Sequence, residues 1–358
     1  MPIRPFFVAV LLLSSALYAA DFDPGEDPPY AAAILVEAES GTVLFAHNPD
    51  LQRSPASTQK LMLELVVMDL IKAGKFSLQD QIHVSRRAAT TGGSQVFLAQ
   101  GETFPLTELM EAIIIPSAND ACVAVAEHIG GSVDGFVALM NTKAQQLGLD
   151  STHVVNVHGL DDTPRAEGNH TTARDLATVA RALLRHPQIL EWSSTRIRPF
   201  RNGEFTLYTT NRLLGRFRGL DGLKTGFTQR AGFNLVATAR RQDMRLISVI
   251  MGGRSDRQRD RETSELLSWG FNHFVKEPIA VAGETIGSVP LDWGITPEVS
   301  VILADTVIAV LTPEQRRRVK RDIELPVLHE APVTEGDSIG VLHVLYDCHW
   351  WIMRAKRN

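Results

Sequence analysis

Short apolar runs stand near both ends of the first 275 positions, and apolar residues recur at helical spacing between them. Ala32 to Glu37 and Thr42 to Ala46 flank Glu39-Ser40-Gly41-Thr42, which predicts a β-hairpin. A long helix is expected next. Ser54 suits its N-cap, Pro55 its first turn and Gly74 its end, and Leu61, Leu65, Met68 and Lys72 mark one face, apolar for most of its length. Ser57 then falls in the first turn, where backbone N–H groups lack partners. Leu106 to Ile115, stopped by Pro116, reads as a second helix, and Asp120 to Ile129, ended by Gly130-Gly131, as a third. Gly135 to Leu147 and Thr172 to Leu184 also carry helical periodicity. Leu223 to Phe227, Gly232 to Ala239 and Arg245 to Met251 read as three successive strands. Ser255 then caps a helix with Leu266, Leu267, Phe271 and Phe274 on its apolar side. Two strands early and three late, with helices between, predict an α/β chain of the α+β kind: one five-stranded antiparallel sheet covered by helices.

The pattern changes near Lys276. Pro278, Pro290, Pro297 and Pro313 interrupt short runs such as Val299 to Ala304, Val307 to Leu311 and Ile339 to Leu345, which alternate at period two. Residues 276–358 are therefore expected to form a small β-rich domain after a larger domain over residues 28–275. At the other end, Arg4, the apolar run Phe6 to Leu13 and the mostly small residues Ser14 to Ala20 read as an export signal over residues 1–20. Its apolar core is shorter than the about 20 residues of a membrane span. Trp350, Trp351, Ile352 and Met353 with Arg354, Lys356 and Arg357 are too few for a secure anchor. The expectation is a periplasmic protein, or one at the outer face of the cytoplasmic membrane, with at most weak membrane association.

Composition narrows the function. The chain has 358 residues, 44% apolar and 22% charged, with a formal net charge of -5, which excludes a dominant basic footprint for nucleic acid. The basic run Arg316, Arg317, Arg318, Lys320 and Arg321 reads first as a solvated face and second as a contact for anionic wall polymer or lipid. Two cysteines in different predicted domains, Cys122 and Cys348, do not suggest a disulfide framework, and Cys122 reads as a small buried packing residue. His153, His158 and His170 lack the spacing of zinc ligands, so neither metal nor cofactor is expected.

Three short motifs carry the candidate chemistry: Ser57-Thr58-Gln59-Lys60, Ser117-Ala118-Asn119 and Lys224-Thr225-Gly226. A hydroxyl is a poor nucleophile at neutral pH and needs a base. Lys60 sits one helical turn from Ser57 and could take its proton if burial and a second cation such as Lys224 lowered its pKa. Alone, it would read as a solvated surface lysine. Ser117 could relay a proton to a leaving amine, and Asn119 could bind a substrate amide or hold Lys60. Taken alone, both would read as helix caps. Lys224 and Thr225 suit a terminal carboxylate, and Gly226 removes a side chain where a substrate strand would approach. The backbone N–H groups of Ser57 and Phe227 are candidates for an oxyanion hole. Each motif arises often by chance, but the ordered set is the one found in penicillin-binding proteins and class A β-lactamases.

The match extends beyond these triplets. Pro55-Ala56-Ser57-Thr58-Gln59-Lys60, Ser117-Ala118-Asn119-Asp120-Ala121-Cys122, Asn156-Val157-His158-Gly159-Leu160-Asp161, Thr171-Thr172-Ala173-Arg174-Asp175, Asp221-Gly222-Leu223-Lys224-Thr225-Gly226 and Met251-Gly252-Gly253-Arg254 resemble the low-molecular-weight penicillin-binding proteins of the D-alanyl-D-alanine carboxypeptidase class. The resemblance runs from about Ala31 to about Leu345. It implies a penicillin-binding, serine β-lactamase-like catalytic domain. It also implies Ser57 as acylated nucleophile, Lys60 as base, Ser117 as relay, Lys224 as a substrate-binding residue, and Arg259 as a helper in holding the substrate carboxylate. The implied partners are peptidoglycan stem peptides ending in D-Ala-D-Ala, and β-lactams as covalent inhibitors. Phe227 departs from the histidine of several relatives, and Thr210 falls where some place an arginine. The expected activity is a serine-type carboxypeptidase. A DD-endopeptidase and a weakly catalytic penicillin or muropeptide sensor stand as alternatives.

Overall fold

The computed structural model describes residues 22–162, 164, 168–346 and 349–357. The segment read as an export signal, and Cys348, lie outside them. The chain divides into two units, one through Gly270 and one from Phe271 onward.

In the first unit, strands β1 (Ala32–Glu37) and β2 (Val43–His47) form the expected hairpin. Late in the unit, β3 (Leu220–Thr228), β4 (Gly232–Arg241) and β5 (Met244–Gly253) follow one another. All five join one antiparallel sheet in the order β2-β1-β5-β4-β3. The early hairpin adds to the late strands through β1 and β5, in a register that sets Ile34 opposite Val249. Strand β1 is buried along its whole length, as its nearly unbroken apolar run Ala32 to Val36 requires of a strand covered on both faces. β3, which carries Lys224-Thr225-Gly226, is an edge strand.

The helices ahead of the last three strands include α1 (Lys60–Lys72), α2 (Leu106–Ile114), α3 (Asn119–Gly130), α4 (Val133–Gln146) and α5 (Ala173–Leu183). α6 (Asp256–His273) follows β5. Helix α1 was expected to bury one face. It is instead buried on every side from Lys60 to Met68, because α2, α3, α4 and α5 all pack against it. Its interior residues Leu61, Met62, Leu63, Leu65, Val66 and Val67 all fall in the main core. Each such side chain contributes about 1.5–3 kcal/mol through removal from water. The helix ends as read, with Gly74 at a φ of 70° and the Lys75 and Gly74 N–H groups donating to the Leu70 and Ile71 carbonyls. Thr172 caps α5 and Ser255 caps α6 through their side-chain oxygens. Gly270 brings α6 onto the sheet: a β-carbon there would lie 2.6 Å from Leu35.

The second unit is β-rich. It holds a strand pair, Val275–Ala280 with Val307–Leu311, and a six-stranded sheet that includes Thr285–Asp292, Glu298–Leu303, Ser338–Tyr346 and His349–Arg357. Its basic run is partly neutralised at the surface, Arg316 by Glu277 and Arg321 by Glu284. Among the described residues, no single helix is long and apolar enough to cross a membrane.

Candidate active site

Ser57 does not sit in the first turn of a long helix capped by Ser54. The Ser54 hydroxyl donates to Asp161 at 2.8 Å, and residues Ala56–Gln59 form a separate 3-10 turn ahead of α1. Ala56 takes a positive φ of 49°, uncommon for a residue with a β-carbon, so the surroundings must hold the turn in place. Three contacts do so. Asn234, fully buried on β4, donates to the Pro55 carbonyl at 2.9 Å and the Ser54 carbonyl at 3.2 Å. Gly159 (φ 86°) packs so closely that a β-carbon would lie 2.0 Å from the Ala56 oxygen. Gly226 meets the turn from the other direction, and a β-carbon there would come within 3.0 Å of the Pro55 oxygen and the Ser57 and Thr58 nitrogens. The close approach read from Gly226 is thus made by this chain's own Ser57 turn.

Lys60 is completely buried and aims its amine into the junction of the first two motifs. Its Nζ lies 3.0 Å from Ser57 Oγ, 2.8 Å from the Ser117 carbonyl oxygen, 3.1 Å from Ser117 Oγ and 2.6 Å from Asn119 Oδ1. A neutral amine has two N–H donors and one lone pair. The two carbonyl-type oxygens take the donors, which leaves the lone pair for the Ser57 hydroxyl proton. Burial holds the Lys60 pKa below the ordinary lysine range.

Ser117 is held at a φ of 71°, outside the helix, and its neighbours pin it: the Ala118 N–H donates to Ala112 and the Asn119 N–H to Ser94. α3 begins at Asn119, one residue earlier than expected, with Ala118 at the cap position. Asn119 is therefore a helical residue, and its amide also donates to the Gly92 carbonyl at 2.8 Å. Asp120 accepts from the Val96, Leu98 and Ala121 N–H groups, which ties the segment before α2 to the start of α3. Cys122 is buried, donates to the Ala118 carbonyl, and its thiol is pushed up to about 12 by burial, so it stays protonated.

Lys224 is also buried, and its Nζ donates to the Thr225 carbonyl at 3.1 Å. Burial first, then repulsion from Lys60, pushes its pKa down to about 7. The Thr225 hydroxyl shares a 2.6 Å hydrogen bond with Thr210, the position where an arginine was noted as missing. Phe227 is 48% exposed and stacks on Phe233 with ring centroids 4.3 Å apart. Arg259 is buried on α6, close enough to oppose the charge on Lys224. Its guanidinium is held by Asp260 through Nε at 2.9 Å and Nη2 at 2.6 Å.

The structure thus gathers Ser57, Lys60, Ser117 and Asn119 at one point, joined to β3 through Gly226. Sequence reading missed Asn234 and Glu64. Asn234 lies in an ordinary strand pattern, and only the fold turns its amide toward the nucleophile turn. Glu64 is a charged residue within the apolar run of α1, one turn beyond Lys60 and buried. The loop Asn156 to Asp161 adjoins the Ser57 turn. Gln59 donates to the Asn156 carbonyl, and Asn156 itself accepts from the Gly159 N–H at 2.8 Å.

The family model of D-alanyl-D-alanine carboxypeptidases, peptidase family S11, matches residues 27–255. The chain is 34% identical over 316 residues to the D-alanyl-D-alanine carboxypeptidase DacF of Bacillus subtilis, covering 87% of this chain and 80% of that protein. The crystal structure of penicillin-binding protein 5 from Haemophilus influenzae superposes with a TM-score of 0.79 at 31% identity, covering 93% of this chain and 98% of that one. Penicillin-binding protein D2 from Listeria monocytogenes, in its ampicillin-bound form, superposes with a TM-score of 0.63 at 31% identity, covering 70% of this chain and 100% of that one. With the ordered Ser-Lys, Ser-Asn and Lys-Thr-Gly groups brought together on the fold of these structures, the chain belongs to the D-alanyl-D-alanine carboxypeptidase family of serine peptidases.

Proposed function

We propose that this protein removes the terminal D-alanine from peptidoglycan stem peptides through an acyl-enzyme on Ser57. The observation that carries the assignment is the fully buried Lys60 amine, 3.0 Å from Ser57 Oγ, with its remaining hydrogen-bonding capacity taken by Ser117 and Asn119. Lys60 takes the Ser57 proton as Oγ attacks the carbonyl carbon of the penultimate D-alanine. The Ser117 hydroxyl, 3.1 Å from Nζ, passes a proton to the leaving amine, and D-alanine departs as the C–N bond breaks. A water then cleaves the ester and regenerates the hydroxyl, with Lys60 again serving as base. Lys224 and Thr225 hold the terminal carboxylate. Arg259 supports them by its charge, since Asp260 occupies its guanidinium. The N–H groups of Ser57 and Phe227 serve as the oxyanion donors. β-Lactams acylate the same serine, in keeping with the ampicillin-bound relative. The N-terminal pattern supports export to the compartment that holds this substrate.

The test is incubation with a labelled penicillin and with a diacylated tripeptide ending in D-Ala-D-Ala. One adduct on the peptide carrying Ser57, together with D-alanine release, is expected, and both are lost in Ser57→Ala. An adduct of equal yield in that variant overturns the assignment. The exposed, apolar face of Phe227 favours a second reading, in which a crosslinked stem lies beyond the scissile bond. A kcat/KM tenfold higher on a crosslinked dimer than on a monomeric pentapeptide makes the protein an endopeptidase.

A further inference from the structure

Thr225 is buried on β3, whereas Thr210 is exposed in the segment that follows the hairpin of Ile197–Phe200 with Phe205–Tyr208. Their Oγ1 atoms lie 2.6 Å apart. A hydroxyl contact from a loose surface loop would mean little, but the backbone around Thr210 is fixed on both sides. Its own N–H donates to the Ile115 carbonyl at 3.2 Å, two residues ahead of Ser117. The Thr209 N–H donates to the Arg196 carbonyl at 3.0 Å. Asn211 is buried, donates through its amide to the Gly222 carbonyl of β3 at 3.4 Å, and accepts from the Leu213 N–H at 3.1 Å. Thr209 to Asn211 is therefore tied both to the segment that carries Ser117 and to the strand that carries Lys224 and Thr225. This framework, and not the side chain of Thr210 alone, holds the two hydroxyls together.

A hydroxyl has one proton to donate and two lone pairs that accept. In a pair of hydroxyls one of the two protons is used in the mutual bond. If Thr225 donates to Thr210, Thr225 has only lone pairs left, which repel an anion. If Thr210 donates to Thr225, the Thr225 proton is free, and the bond that its oxygen accepts strengthens it as a donor. In the site as assigned above, on which this inference rests, Thr225 meets the terminal carboxylate beside Lys224. The carboxylate selects the second order, because only that order offers it a donor. We propose that Thr210 is a positioning residue that sets specificity for a free C-terminal carboxylate: it donates to Thr225 and so keeps the Thr225 proton turned toward the acid. Little else in the site supplies a directed donor. The Arg259 guanidinium is held by Asp260, and Lys224 already donates to the Thr225 carbonyl. A neutral terminal amide gains about half as much from the same hydroxyl, since hydrogen bonds to charged groups are roughly twice as strong.

The experiment compares the diacylated tripeptide ending in D-Ala-D-Ala with its C-terminal amide, in the wild type, Thr210→Val and Thr210→Ser. Valine keeps the branched shape of threonine and removes the hydroxyl. In Thr210→Val the KM for the acid is expected to rise about tenfold with kcat kept, because the carboxylate is held equally before and during the reaction. The kcat/KM for the amide is expected to fall only about threefold, so that the preference for the acid drops about threefold. Thr210→Ser keeps the wild-type values. An equal loss on acid and amide, a loss that falls on kcat, or an unchanged preference overturns the proposal. Should Thr210→Val fail to fold, Thr210→Ala removes the same hydroxyl and carries the same expectation. Acylation of the wild type at Ser57 by a labelled penicillin is measured in parallel. Its absence overturns the site assignment and this inference with it, whereas normal acylation with an unchanged acid preference in the variants overturns only the role given to Thr210.

Discussion

At the scale of single residues, the proposed mechanism depends on one amine being neutral at a pH where lysine is ordinarily charged. Burial supplies that condition for Lys60, and the carbonyl oxygens of Ser117 and Asn119 orient what remains. Lys60→Arg keeps a cation but cannot give up a proton in the accessible range. Acylation by penicillin is expected to fall about 10²–10⁴-fold, the usual contribution of a positioned base, while the melting temperature shows that the fold survives. The pH profile carries a second signature. The neutral fraction of Lys60 rises with pH, so wild-type acylation is expected to climb along an acid limb with its midpoint below the ordinary lysine value of about 10.4. That limb should vanish in Lys60→Arg, and a variant that acylates at wild-type speed would point to another base.

At the scale of elements, the Ser57 turn is a strained piece of backbone clamped by its neighbours. Ala56 has a positive φ, and the Asn156 to Asp162 loop presses Gly159 onto its carbonyl. Gly159→Ala would add a β-carbon 2.0 Å from that oxygen at a φ of 86°. The expected cost is about 1–3 kcal/mol or more in urea unfolding, with slower acylation because the Ala56–Ser57 peptide is displaced. Unchanged stability and rate would show that the loop does not brace the turn. The same loop carries a pH dependence. Burial above all pushes His158 down to about 4. The unfolded chain binds a proton near pH 6.5 and the folded chain does not until near pH 4. Stability is therefore expected to fall as the pH drops through that window, by about 1–3 kcal/mol from this group. Urea midpoints at pH 7 and pH 4.5 measure the fall, and His158→Gln should reduce it. An identical fall in the variant would assign it to the carboxylates instead.

At the scale of the whole molecule, the two units bury their apolar residues in different ways. The first unit is built around a helix buried on all sides, whereas the β-rich unit has small clusters such as Val289, Val299, Val301, Val333 and Ile339. Its surface ion pairs, Arg316 with Glu277 and Arg321 with Glu284, are of a kind that contributes about 0–1 kcal/mol each. An occupant of the site stabilises the unit that holds it. Saturation with penicillin is expected to raise the unfolding temperature of the first unit in differential scanning calorimetry and to leave the transition of the β-rich unit in place. One transition that moves as a whole would show that the two units unfold together.

The elements of the first unit and the candidate motifs were legible along the chain. Period-two and helical spacing place the five strands and the main helices of the first unit within a few residues of their bounds, because each element must bury a stripe of its own side chains. Gly74, Gly131 and Thr172 mark helix ends by local backbone preference, which needs no neighbour. Ser57, Lys60, Ser117, Asn119 and Lys224 were legible because their order and spacing are rare together. Tertiary structure decided the rest. Ser54 turned from cap to partner of Asp161 because the Ser57 turn is shaped by Asn234, Gly159 and Gly226, which are distant in the chain. Helix α1 lost its exposed face because four helices close around it, and this closure buries Lys60 and Glu64 together. A lysine reads the same in a sequence whether solvated or buried, and the role proposed for Lys60 as a base depends on the burial. Only packing sets how much water and how many neighbouring charges it meets.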